Sequence, residues 1–65
     1  MPTNNESYQI NRILKMAVQM FKMGIADETI KETICINSMA SATPGGLSPA
    51  QMNSRILDKY YKAVN

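Results

Sequence analysis

Histidine and tryptophan are absent from this chain of 65 residues, and cysteine occurs once, at Cys35. A single thiol cannot form an intrachain disulfide, and with no histidine beside it cannot build a zinc site. The chain therefore lacks both of the covalent or metal staples that small domains commonly use. The absence of histidine also removes the commonest general base and the usual activator of a cysteine nucleophile. Glycine is sparse, and Gly45-Gly46 reads as a turn rather than as a phosphate-binding or dinucleotide pattern. The five acids, Glu6, Asp27, Glu28, Glu32 and Asp58, all fall where helix caps or surface charges are expected. These absences point away from an enzyme and predict no metal and no cofactor.

Long apolar runs are missing too. Met16-Ala17-Val18 is as long as they become, against about 20 residues for a bilayer-spanning helix. The start, Met1-Pro2-Thr3-Asn4-Asn5-Glu6, carries neither the basic nor the apolar region of a secretory leader. With its lone thiol suited to a reducing compartment, the chain is expected in the cytoplasm and not in a membrane. Charge of one sign is not dominant: seven basic and five acidic residues give +2, which calls for neither nucleic acid nor an anionic surface.

What remains is hydrophobic content of 45%, ordinary for a globular chain and too high for disorder. It is arranged with helical periodicity. The expectation is a single all-α domain over residues 1–65 with three helices, at about 6–23, 28–37 and 49–63, the end of the second left open between Ile36 and Ser41. Thr3-Asn4-Asn5-Glu6 has the spacing of a capping box, and Gly24 is placed for a left-handed C-terminal cap. Asp27 reads as the N-cap of the second helix. Ser48-Pro49-Ala50-Gln51 is the strongest local signal, with Ser as cap, Pro at the first helical position and Gln closing the box. The first and third helices are expected to run antiparallel or to cross, with the second short.

The first helix has more apolar surface than one stripe needs. Ile10, Leu14, Ala17 and Phe21 form one line, flanked by Ile13, Met16, Met20 and Met23. Its polar arc holds Asn11, Arg12, Lys15, Gln19 and Lys22. The third helix divides into halves, with Ala50, Met52, Ile56, Leu57, Tyr60, Tyr61, Ala63 and Val64 on the apolar side. Asn53 breaks that side. It either bonds connector backbone or fixes register with a partner, and the first reading is favoured. Cys35 is expected as a small half-buried hydrophobe.

Surplus apolar surface on so small a domain predicts self-association and a protein partner. The expected contact residues are Ile13, Met16, Met20, Met23, Tyr60 and Tyr61, because Met and aromatic side chains are favoured anchors. The function this implies is that of a non-enzymatic regulator or inhibitor that acts by binding a macromolecule. A second reading concerns the 37–48 connector. Ser38, Ser41, Thr43, Gly45, Gly46 and Ser48 offer hydroxyls and open backbone at a helix N-terminus, with Arg55 two turns on. That combination suits a small anionic, nucleotide-like ligand at a subunit junction. A third is a helix-turn-helix around Gly24. It would present Asp27, Glu28 and Glu32 to phosphates, which makes nucleic acid a poor fit.

Overall fold

A computed structural model describes residues 5–65, with side chains from Glu6 onward. Three helices account for most of them: α1 (Asn5–Lys22), α2 (Asp27–Ser41) and α3 (Pro49–Val64). No strand occurs among the described residues.

α1 stops where a glycine allows it to. Gly24 has φ +82°, and its N–H donates to the Phe21 carbonyl at 3.0 Å while Ile25 N–H donates to Met20 O at 3.1 Å. These are the two bonds of a Schellman cap, and Ile25 and Met20 both pack against the core beside it. The connector before α3 turns in the same way. Gly45 has φ +82°, and Gly46 N–H donates to Thr43 O at 3.1 Å. With Pro44 second and Gly45 third, this is a type II turn. Ser48 then caps α3 as its sequence predicts. Its hydroxyl accepts from Gln51 N–H at 3.2 Å, and Gln51 Oε1 accepts from Ser48 N–H at 3.0 Å.

α2 takes the longer of the two ends the sequence left open and departs from expectation at its start. It runs on to Ser41, so the connector shrinks to 42–48. The polar residues that suggested an early stop are absorbed by the helix itself. Asn37 donates to Thr33 O at 2.8 Å and Ser38 donates to Ile34 O at 2.8 Å, each one turn back. Such back-bonding lets short polar residues sit inside a helix. The helix ends before Thr43-Pro44, where proline disfavours helical backbone in the residue preceding it. At the other end Asp27 is not the cap. Ala26 holds that position with no side-chain cap bond, and Asp27 is the first helical residue. The expected capping box of α1 falls largely on Thr3 and Asn4, outside the described residues. Its Glu6 turns elsewhere, as set out below.

The helices form an up-down-up bundle in which every pair packs together. Glu6 meets Leu47, Gln9 meets Ser41, and Phe21 meets Tyr60. α1 and α3 therefore run in the same direction, with α2 antiparallel to both. This corrects the expected antiparallel or crossed first and third helices. The physical reason lies in α2: 15 residues span roughly 22 Å, enough to return the chain to the start of α1 before α3 begins.

The core is Ile10, Ile13, Ala17, Ile30, Ile34, Met52, Ile56 and Tyr60, with Ser38 buried among them. On α1 the inward line is thus drawn from both expected stripes. Leu14 is half-buried at its edge and Phe21 is 46% exposed. On α3 the apolar half is deeper at its centre than at its margins, and Ala50, Tyr61 and Ala63 are exposed. Among the described residues no helix is long and apolar enough to cross a membrane.

Candidate functional site

The expected contact residues separate into two sets. Ile13 and Tyr60 are fully enclosed by the chain's own helices and offer no surface, and Met20 is half-buried against the core. Met16, Met23 and Tyr61 remain open, at 38%, 70% and 38% exposure. Phe21, which the sequence puts in line with Ile10, Leu14 and Ala17, joins them at the surface. It lies in the last turn of α1, and helical spacing alone does not reveal how much of it α3 covers.

Phe21, Met23 and Tyr61 share one end of the bundle. There the C-terminal ends of α1 and α3 meet the N-terminal end of α2. The Phe21 ring stands edge-on to Tyr60, with centroids 6.3 Å apart and planes at 80°, and Tyr60 lies 5.6 Å from Tyr61. Such aromatic contacts hold the rings in fixed orientations. The Tyr60 hydroxyl donates to Asp27 Oδ1 at 3.2 Å, so the one polar atom of this buried ring is satisfied. Lys31 completes the arrangement. Its ammonium is 3.3 Å from Asp27 Oδ2 and sits 5.5 Å from the centre of the Tyr61 ring. Burial, and then the hydrogen bond to Asp27, push the Tyr60 hydroxyl above its usual pKa. Contacts with Tyr61 and Asp27 raise that of Lys31. Both shifts favour the protonated forms, so at neutral pH this end holds a neutral phenol and a cation. At its surface stand Phe21, Met23 and Tyr61, around the Asp27–Lys31 pair.

The connector residues read as a ligand site are largely engaged within the chain. Ser38 is buried and bonded to its own helix, and Ser48 is the α3 cap. Ser41 donates to Gln9 Oε1 at 3.4 Å, a glutamine that also accepts from Arg12. Glu6 Oε2 accepts from the backbone N–H of Leu47, and the same carboxylate lies where a Cβ on Gly46 would have to go. A carboxylate from α1 thus occupies the place where the sequence reading would put an anion. Thr43, Gly45 and Arg55 are exposed.

Three further positions matter. Cys35 is exposed rather than half-buried, on the shoulder of α2 that faces α3. With Met39, Pro49, Ala50 and Asn53 it lines a shallow hollow of about 480 Å³. Asn53 Oδ1 is buried with no hydrogen-bond partner among the described residues, so the favoured bond to connector backbone is not seen for that atom. On the opposite side, Tyr8, Asn11, Arg12, Leu14 and Lys15 line one hollow of about 540 Å³. Leu14 and Lys15 also line its neighbour of about 320 Å³, with Val18, Gln19, Lys22 and Ala63. The two share Leu14 and Lys15 and follow one another along α1 as a shallow groove that Ala63 of α3 borders. Among the described residues no cluster of three metal-ligating side chains occurs. No family model, curated protein or solved structure matches this chain.

Proposed function

We propose that this chain is a non-enzymatic regulator that works in the cytoplasm by docking on a protein partner. One observation carries the reading: large apolar side chains are gathered and left open at one end of a bundle whose core is already complete. Phe21 is 46% exposed and Met23 70% exposed, and at the same end of the bundle Tyr61, 38% exposed, is held by Lys31 and Tyr60. Solvating such side chains is unfavourable, and burying one fully is worth about 1.5–3 kcal/mol. Methionine adapts its shape to a partner, and rigid aromatics supply area at low entropic cost. Together they form a patch suited to protein contact, with Met16 on the adjoining flank of α1.

The test compares the wild-type chain with a Phe21→Glu/Met23→Glu variant, each immobilised and exposed to extract of its native cell. Circular dichroism first establishes that both are equally helical. A protein held by the wild type and lost from the variant is the expected result. Equal retention by both would move the contact elsewhere on the molecule. No retention by either would remove the regulator reading.

A further inference from the structure

The charges of this chain are sorted by side. Two cations are in ion pairs within the structure: Lys31 with Asp27, and Lys62 with Asp58 at 3.7 Å. Among the described residues the other five, Arg12, Lys15, Lys22, Arg55 and Lys59, have no ion-pair partner. Arg12, Lys15 and Lys22 line the groove along α1. Lys59 and Arg55 stand four and eight residues before Ala63, which borders the same groove, and so share its face of α3. With Asp27 and Asp58 paired and Glu6 held by Leu47 N–H, the acids left without such a partner are Glu28 and Glu32. Both are exposed on the outer face of α2, which Ile36 continues at 61% exposure, and Met39, 64% exposed, stands where that face borders the α2–α3 hollow.

The two faces match in length and in order. Glu28, Glu32, Ile36 and Met39 lie within 12 residues of helix, roughly 16 Å from first to last. The groove from Lys22 to Asn11 covers the same length. An α2 laid antiparallel to α1 would set Glu28 beside Lys22, Glu32 beside Val18 and Lys15, and Ile36 beside Leu14. Met39 would fall at the hollow bordered by Tyr8 and Asn11. Acid would meet base at one end and apolar would meet apolar at the other. We infer that copies of this chain assemble head to tail, the outer face of α2 in one copy seated in the α1–α3 groove of the next. The two surfaces differ, so the contact is heterologous and builds rings or open filaments instead of stopping at a dimer. The inference stands apart from the partner-docking patch, since Phe21, Met23 and Tyr61 lie in neither surface.

Charge reversal tests it. Sedimentation velocity is run on the wild type, on Lys15→Glu/Lys22→Glu, on Glu28→Lys/Glu32→Lys, and on their equimolar mixture, with helicity matched by circular dichroism. The neutral pair Glu28→Gln/Glu32→Gln serves should a reversed variant fail to fold. The wild type is expected to grow past the dimer with concentration and to shrink as salt is added. Each reversed variant should sediment as the 7.2 kDa monomer, the neutral pair should assemble less than the wild type, and the mixture should regain assembly. A wild type that stays monomeric overturns the inference. So does assembly that survives both reversals, or a mixture that stays monomeric. If instead the wild type remains monomeric and a mixed-sequence DNA duplex binds it through Lys15 and Lys22, the groove serves nucleic acid and the contact proposed here is wrong. Phe21→Glu/Met23→Glu should assemble as the wild type does, which keeps this outcome separate from partner docking.

Discussion

Tyr60 keeps its ring in the core and its hydroxyl on Asp27, and both features act on stability at high pH. The hydroxyl titrates above its ordinary value in the fold, because burial and Asp27 disfavour the phenolate. Its contribution is therefore complete below the ordinary tyrosine range near pH 10 and is lost as pH rises through the higher folded value. Lys31 shifts in the same sense and adds to the same loss. Denaturant unfolding across alkaline pH should show stability falling in that window, and Tyr60→Phe should flatten the fall without abolishing it. At neutral pH the same variant should cost about 1 kcal/mol, the net worth of one hydrogen bond. Asn53 predicts the opposite sign. Its buried Oδ1 lacks a partner among the described residues, so Asn53→Leu should raise stability by about 1–2 kcal/mol, several degrees in Tm for a domain this small. A loss of stability on that substitution would show that Asn53 has a partner in solution. The sequence marks Asn53 as an exception to its helix face. It gives no sign that the exception goes unsatisfied, because that depends on which neighbours the bundle brings.

Among the elements, α3 was the most readable and α2 the least. Ser48-Pro49-Ala50-Gln51 specifies a helix start by local bonding alone, and the structure contains each of its bonds. Ser48→Ala should cost about 1 kcal/mol by thermal or denaturant melting, with no change in solution mass. α2 has a weak stripe, Ile30 and Ile34, followed by Asn37 and Ser38, which in most settings favour turns. Their bonds to carbonyls one turn back keep the helix going and bury Ser38 at no polar cost. The observed α2 returns fully, so α1 and α3 point the same way. Asp27 shows a related limit. Its identity suits an N-cap, but one residue of displacement frees its carboxylate for Tyr60 and Lys31.

At the scale of the molecule, the sequence conveys that apolar surface is in surplus but not where the surplus ends up. Helical periodicity puts Ile13 and Met16 on one flank, yet the bundle encloses Ile13 and leaves Met16 open. The same holds for Tyr60 and Tyr61, adjacent in sequence and opposite in burial. Burial follows from the angle at which neighbouring helices arrive, which no single helix encodes. What the surface then presents is an aromatic and methionine patch at one end, a basic groove along α1, and an acidic and apolar ridge on α2. The groove and the ridge are the two surfaces through which we propose that copies of this chain assemble. Light scattering behind a sizing column, over a range of loading concentrations in low salt, tests this assembly most directly. The expected result is a mass that climbs above the 7.2 kDa of one chain as concentration rises. A constant 7.2 kDa at every concentration would contradict self-assembly.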